Sequence, residues 1–221
     1  MKIRFCKKLF IGFLLLLLSG LTNPILSQET EEMENIDKKV EKFLKAHRGQ
    51  WYDMNIPESD GKVLYNLIIK NNYQKALEIG TSTGHSGIWI AWALSKTGGK
   101  LTTIEIDRDR HNTALANFKE AGLSEFIDAR LADAHDLVEE LQGPFDFVFS
   151  DADKGWYTKY FIALAPKLRV GGCFTAHNVS WKYDSNIRAF LNYLKNLPNF
   201  ETTINRASSE GISISYKRAE K

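Results

Sequence analysis

From about residue 76 onward the sequence alternates between short apolar strands and helical patterns, and this alternation permits few folds. Five strand patterns are each followed by a helical pattern, and two more strand patterns end the chain with no helix between them. Successive βα units build a parallel sheet with helices on both faces. The sequence therefore predicts an α/β, Rossmann-like, doubly wound and mostly parallel seven-stranded sheet. We expect a C-terminal antiparallel hairpin at one edge and an N-terminal helical cap.

The predicted strands are apolar or β-branched runs bounded by turn residues. They span Ala76–Gly80, Leu101–Ile106, Asp128–Ala132, Phe145–Ser150, Gly172–His177, Glu201–Asn205 and Gly211–Tyr216. Helical patterns begin near Ser86, Arg108, Ala134, Trp156 and Asn186, after two earlier ones over Glu31–His47 and Glu58–Lys70. The 221 residues, 43% of them apolar, suffice for one such domain with a full core.

The first 27 residues have a composition of their own. Four basic residues and no acid come with the apolar run Leu9–Leu18, which is too short for a comfortable membrane span. We predict a signal peptide or membrane anchor over residues 1–27 and a single domain over residues 28–221. The body would then be exported, whereas a true start at Met33 would leave it in the cytoplasm. Without those four basic residues the formal net charge of the chain changes from +2 to −2, so no nucleic-acid partner is expected.

The first strand ends in a turn of small residues, Gly80-Thr81-Ser82-Thr83-Gly84. Glycine lets a chain leave a buried strand sharply and lets its backbone approach a ligand. No lysine follows Gly84, so the turn is not a phosphate-binding loop, and it does not give the G-x-G-x-x-G of nicotinamide dehydrogenases. Glu78, just inside the turn, would repel phosphate but could hold a cation. The turn is either a cofactor site or a tight connection needed only for packing.

Carboxylates end the second and third strands. Glu105 is placed to accept both hydroxyls of a ribose, and Asp107 fits the N-cap of the helix that begins near Arg108. Asp133 is either an acceptor for an adenine amino group or an N-cap. This pattern favours a nucleoside-bearing cofactor.

The fourth and fifth strands end in the residues most suited to chemistry. Asp151 and Lys154 follow the fourth strand, and His177 and Asn178 end the fifth. Because adjacent parallel strands end at one edge of a sheet, Asp151, His177 and Asn178 could bind one divalent ion. Lys154 would be within reach of a metal-bound hydroxyl and is the candidate general base. Each residue taken alone also has an ordinary structural role.

Taken together, these stretches resemble the metal-dependent catechol and caffeoyl-CoA O-methyltransferase family, particularly its small bacterial members. The resemblance runs from about Met54 to Lys217 and is carried by Met54–Pro57 with Gly61, Leu77–Gly80, Thr83–Ser86, Ile104–Arg108, Phe145–Val148, Asp151–Lys154, Asn178 with Trp181, and Gly211–Ile212. It implies S-adenosylmethionine as the methyl donor, a divalent ion that is usually Mg²⁺, and an aromatic acceptor with vicinal hydroxyls.

The resemblance also implies roles for individual positions. Cofactor-binding roles fall on Glu78, Gly80, Ser86, Glu105, Asp133 and Asp151. Asp151 and Asn178 would hold the metal, and Lys154 would take the proton. Trp51, Trp156 and Trp181 are candidates for the wall of an acceptor pocket.

The chain departs from the family pattern in two places. The family usually has Asp before the metal-binding Asn, where this chain has His177. A neutral imidazole removes one negative charge, which favours Zn²⁺, Mn²⁺ or Fe²⁺ over Mg²⁺, or no metal at all. The export signal is the second departure, because S-adenosylmethionine is made in the cytoplasm.

Two other functions stay open at this stage. One is a metal-independent methyltransferase of another acceptor, and the other is an exported, catalytically inactive binding module. The expected partner is a small-molecule acceptor, with membrane contact only through an uncleaved N-terminal segment. A homodimer is possible, since the apolar stripe of the Glu31–His47 helix could serve an interface or pack within the chain.

Overall fold

The computed structural model describes residues 24–181 and 183–220, and it contains seven helices and seven strands over these residues. The helices are α1 Pro24–Ala46, α2 Glu58–Asn71, α3 His85–Thr97, α4 Arg108–Glu120, α5 Ala134–Glu140, α6 Tyr157–Leu164 and α7 Ser185–Lys195. The strands are β1 Lys75–Ile79, β2 Lys100–Glu105, β3 Ile127–Leu131, β4 Phe145–Ser150, β5 Leu168–His177, β6 Phe200–Asn205 and β7 Ile212–Lys217. Short 3₁₀ turns cover Ser124–Phe126, Lys154–Trp156 and Ala165–Lys167.

All seven strands form one sheet in the order β3-β2-β1-β4-β5-β7-β6. The first five are parallel, and β7 pairs antiparallel with both β5 and β6. The predicted doubly wound sheet with a C-terminal hairpin is therefore confirmed. The strand order reverses between β1 and β4, and this reversal places the carboxyl ends of these two strands side by side.

Buried apolar side chains cover both faces of the sheet. One cluster joins the sheet to α5, α6 and α7, and a second joins it to α2 and α3. A third lies under α1, where Ile36, Val40 and Phe43 pack with Ile88 of α3 and Phe118 of α4. The apolar stripe of α1 thus packs within the chain and forms the helical cap that was predicted.

Some boundaries differ from those expected. Strand β5 begins at Leu168 rather than Gly172, because a register shift between its pairs Phe145–Leu168 and Phe147–Cys173 accommodates extra residues. Such a bulge is invisible to a pattern of alternating burial. Helix α6 ends at Leu164, whereas the helical pattern that begins near Trp156 continues to about Lys167, because Pro166 turns the last residues into a 3₁₀ turn. Cys173 of β5 is buried and free.

The N-terminal segment is only partly within this description. The predicted basic and apolar parts of the signal lie outside the described residues, whereas α1 begins at Pro24, before the predicted end of the signal at residue 27. Among residues 24–181 and 183–220, no helix is both long and apolar enough to cross a membrane.

Candidate active site

The carboxyl ends of β1 to β5 open into a single cleft of about 890 Å³. The opposite wall is a loop from Arg48 to Glu58. Open α/β sheets bind ligands at this edge, next to the reversal of strand order. The cleft lies at that point, and its volume is typical of a small-molecule site.

Two glycines shape the turn between β1 and α3. Gly80 has a φ of 94° and Gly84 a φ of 98°, a conformation that residues with a Cβ rarely adopt. A Cβ on Gly80 would lie 2.9 Å from the backbone of Asp151, and one on Gly84 would lie 2.7 Å from the ring of Phe118. The turn can therefore pack directly against the end of β4, and the two sides of the cleft adjoin.

Glu78 and Ser86 lie beneath this turn and are not part of the cleft wall. Glu78 accepts hydrogen bonds from the hydroxyls of Thr103 and Ser86, and its Oε1 has no partner among the described residues. Burial raises the pKa of Glu78 to about 8 against these hydrogen bonds, so its carboxyl group is mostly protonated at neutral pH. The structure thus places both residues where they support the turn from below.

Glu105 ends β2 and faces the cleft. Its Oε2 accepts from the backbone N–H of Ser82 at 2.7 Å, and its Oε1 accepts from those of Ile106 and Asp107 at 3.1 and 3.0 Å. A carboxylate has about four acceptor positions, so one remains for a ligand hydroxyl. Asp107 caps α4 through its side chain, as predicted.

Asp133 both caps α5 and lines the cleft, so its two predicted roles are compatible. One carboxylate oxygen accepts from the backbone N–H of His135 at 2.9 Å and lies 3.1 Å from Nδ1 of the same residue. His135 was not identified from the sequence, and its ring lies in the cleft wall with its centroid 4.0 Å from that of Trp156. Its place two residues after a predicted N-cap was the available signal.

Asp151 joins Lys154 and His177 at the other side of the cleft. Lys154 Nζ donates to Asp151 Oδ1 at 2.7 Å, and His177 Nδ1 lies 3.1 Å from Asp151 Oδ2. The side chains of Asp151 and His177 are 9% and 4% exposed, against 20% for Lys154. The three predicted residues are therefore in contact, with Lys154 the most accessible.

Asp60 of α2 completes this cluster and was not identified from the sequence. Its Oδ2 lies 2.8 Å from His177 Nε2 and accepts from the hydroxyl of Ser208 at 2.6 Å, and the residue is 1% exposed. Burial opposes a charged His177, but the hydrogen bonds and charges of Asp151 and Asp60 prevail and raise its pKa to about 9. A buried acid in the apolar pattern of α2 was the signal for Asp60.

Asn178 belongs to a second polar group beside the first. It has a φ of 57°, and its Nδ2 donates to Glu210 Oε2 at 2.9 Å. Trp181 Nε1 donates to the same oxygen at 2.7 Å. The hydrogen bonds of Trp181 and Asn178 lower the pKa of Glu210 and keep it ionised. Glu210, in the loop before β7, was also missed.

The three candidate tryptophans have different positions. Trp51 and Trp181 line the cleft, and Trp181 is 47% exposed. Trp156 packs against His135 and Tyr160 instead and is not part of the wall. Lys154 Nζ lies 6.0 Å from the centre of the Trp181 ring. An aromatic surface therefore stands next to the candidate base.

The predicted metal ligands do not form a ready ligand set. In the described part of the chain, no three His, Cys, Asp or Glu side chains are arranged to hold an ion. Both oxygens of Asp151 and both ring nitrogens of His177 already have partners, and Asn178, whose Nδ2 donates to Glu210, could offer an ion only its amide oxygen. This donor set does not fit Mg²⁺, which requires several oxygen ligands.

A glycine turn at the strand-order reversal, with an acidic residue ending the next strand, defines a site for a nucleoside-bearing cofactor. The sequence profile of an O-methyltransferase family matches residues 26–187. The chain belongs to this O-methyltransferase family.

Individual relatives agree with this membership. The chain is 39% identical over 130 residues to a catechol O-methyltransferase from Niastella koreensis, covering 57% of this chain and 58% of that protein. It is 31% identical over 168 residues to a caffeoyl-CoA O-methyltransferase from Stellaria longipes, covering 73% of this chain and 66% of that protein. The alignments thus span 58% and 66% of the length of these two relatives, which is less than two thirds in each case.

Solved structures give the same result for the fold. The O-methyltransferase TomG from Streptomyces achromogenes, determined in complex with SAM, is 27% identical, with a TM-score of 0.69 over 82% of this chain and 90% of TomG. An O-methyltransferase from Bacillus cereus, determined with SAH, is 25% identical with the same TM-score over 82% of this chain and 91% of its own.

Proposed function

We propose that this protein is an S-adenosylmethionine-dependent O-methyltransferase that acts on a small, catechol-like acceptor. The observation that carries the proposal is the contact between the turn at Gly80 and the backbone of Asp151. This contact joins the two sides of the cleft. The cofactor side extends from the glycine turn to Glu105, and the acid-base side extends from Asp151 to Lys154. A methyl donor and an acceptor bound on these two sides would meet in one cleft.

The residues of the cofactor side fit S-adenosylmethionine. Gly80 lets the turn lie directly against the backbone of Asp151, and Glu105 offers one fixed acceptor position for a ribose hydroxyl. Asp133 and His135 provide polar groups further along the same wall for an adenine ring. The cofactor supplies an electrophilic methyl group on a sulfonium sulfur.

The residues of the acceptor side fit an aromatic hydroxyl compound. Trp181 offers a half-exposed ring face, and Lys154 Nζ lies beside it. In its neutral form Lys154 accepts the proton of the acceptor hydroxyl at Nζ, and the resulting oxyanion is the nucleophile. Holding the two reactants together contributes on the order of 7–11 kcal/mol to such reactions.

Metal assistance was predicted from the sequence, but the donor set does not fit Mg²⁺, so the proton transfer is assigned to Lys154 alone. The export of the protein remains a proposal, which rests on the basic and apolar start of the chain. A homodimer also remains a proposal, although the apolar stripe of α1 is buried within the chain. Sedimentation of the purified protein would decide the second point.

Calorimetric titration of S-adenosylmethionine into the purified protein tests the proposal first. We expect binding in the micromolar range, followed by methyl transfer to at least one member of a catechol panel. The panel is run in chelator and with added Mg²⁺, Mn²⁺ or Zn²⁺. Failure to bind the cofactor would refute the proposal. Cofactor binding without transfer to any catechol would instead support the inactive binding module.

A further inference from the structure

We propose that His177, held by Asp60, closes the acceptor side of the cleft to divalent ions. A protein side chain thus occupies the place at which the sequence predicts a divalent ion. Only the consequence of this inference for catalysis rests on the proposed function. Ion binding itself can be measured whether or not the protein transfers methyl groups.

The first argument is the engagement of both ring nitrogens of His177. Nδ1 faces a carboxylate oxygen of Asp151 at 3.1 Å, and Nε2 faces one of Asp60 at 2.8 Å. Each ring nitrogen therefore has a carboxylate oxygen within hydrogen-bond distance, and an ion could reach either nitrogen only by displacing that carboxylate.

The second argument is that the ring is fixed in this position. His177 is 3% exposed, and the hydroxyl of Tyr157 donates to its backbone oxygen at 3.1 Å. Asp60 is buried as well, and His177 is the only cationic partner that the described residues give it. A buried carboxylate without a cation is strongly unfavourable, so Asp60 holds the ring in place. Asp60 is therefore a positioning residue.

The third argument concerns the other two predicted ligands. Asp151 Oδ1 accepts from Lys154 at 2.7 Å, so a divalent ion at Asp151 would lie beside an ammonium group. Asn178 Nδ2 donates to Glu210, whose same oxygen also accepts from Trp181, so Asn178 could offer an ion only its amide oxygen. One oxygen is fewer than the several that a hard divalent ion requires.

Manganese binding, followed by the EPR signal of free Mn²⁺, tests the proposal without any assay of activity. The proteins are the wild type, the double variant His177→Asp with Asp60→Asn, and the control Asn192→Asp, which adds one carboxylate on an exposed face of α7. The second substitution in the double variant avoids burying two carboxylates together. Circular dichroism establishes that each protein is folded.

We expect the wild type and Asn192→Asp to leave the free Mn²⁺ signal unchanged, and the double variant to bind one ion per chain at least tenfold more tightly. One Mn²⁺ bound by the wild type and lost in His177→Ala would overturn the proposal, because His177 would then be a ligand. A folded double variant that binds no better than the wild type would also overturn it. Titration of S-adenosylmethionine into the same samples tests the proposed function separately.

Discussion

The indole of Trp51 stacks on the imidazole of His85, with ring centroids 4.4 Å apart and planes 9° apart. His85 Nδ1 lies 2.8 Å from the carbonyl oxygen of Ile56, and Trp89 Nε1 lies 3.1 Å from His85 Nε2. With these partners Nδ1 carries the proton and Nε2 accepts. The stack connects two parts of the cleft wall. One is the loop from Arg48 to Glu58, and the other is the first turn of α3. The cleft wall therefore depends on a neutral histidine.

This histidine makes the protein sensitive to acid. Burial lowers the pKa of His85 to about 4, against the hydrogen bond to Ile56, whereas the unfolded chain has the ordinary value near 6.5. As the pH falls, the unfolded state binds the proton before the folded state does. The stabilisation that neutral His85 gives the folded state is therefore fully present above pH 6.5 and is lost as the pH falls toward 4. The loss between pH 7.5 and 4.5 is about 2.5 kcal/mol.

Urea unfolding of the wild type and His85→Phe at these two pH values measures this contribution. Phenylalanine keeps an aromatic ring against Trp51 but cannot titrate. We expect a smaller loss of unfolding free energy in the variant, by about 2.5 kcal/mol. Equal losses in the two proteins would show that His85 is not the group responsible.

Glu105→Gln should weaken the binding of S-adenosylmethionine. The substitution retains one acceptor oxygen but removes the charge that strengthens a hydrogen bond to a ribose hydroxyl, a difference of about 1.5 kcal/mol or roughly tenfold in Kd. Calorimetry measures it, with Glu120→Gln at the exposed end of α4 as the matched control. Unchanged affinity in Glu105→Gln would remove Glu105 from the cofactor site.

Lys154→Ala should reduce methyl transfer about 10²–10⁴-fold while leaving the affinity for S-adenosylmethionine near that of the wild type, because a general base contributes mainly to the chemical step. Lys159→Ala is the control, since Lys159 lies in the next turn of the chain and contacts the ring of Trp156. Single-turnover rates and calorimetry separate the two effects. A parallel loss of rate and cofactor affinity would indicate that Lys154 is structural.

Asp60→Asn should lower the free energy of unfolding by about 3–5 kcal/mol, as expected when one partner of a buried ion pair is removed. Asp128→Asn, which breaks an exposed pair with Arg130, should lower the free energy of unfolding by less than about 1 kcal/mol.

The ion pair of Asp60 with His177 also depends on pH. The pKa of His177 is raised to about 9, so the stabilisation of the folded state by charged His177 is complete below pH 6.5 and is lost as the pH rises through 9. The difference in unfolding free energy between the wild type and Asp60→Asn, measured by urea titration, should accordingly become smaller above pH 9.

Residues 1–35 fused to a reporter that is active only outside the cytoplasm should give an active reporter in bacteria. Replacing two leucines of the apolar run Leu14–Leu18 with arginine should abolish that activity, because a charged segment does not enter the membrane. A fusion that begins at Met33 serves as the cytoplasmic control. An inactive fusion of the unaltered segment would favour the start at Met33.

The features that could be predicted from the sequence are those that depend on local pattern and on strand order, such as helix caps and the residues at strand ends. Glu105 and Asp107 were assigned different roles because one ends a strand and the other precedes a helix, and the cap formed by Asp107 is confirmed. Asp60 and Glu210 were missed because their partners are far away in sequence and contact is set by packing of α2 and of the last hairpin on the sheet. Trp156 was predicted in the acceptor wall, but side-chain direction within a 3₁₀ turn cannot be read from composition.

The contact between Gly80 and Asp151 also affects how the protein is synthesised. A chain that has emerged only through β3 contains the glycine turn and Glu105, but β4, which packs against that turn, has yet to be made. Cofactor affinity should therefore appear only when β1 and β4 have paired. In translation-arrest experiments, the binding of S-adenosylmethionine would then report the completion of the central sheet.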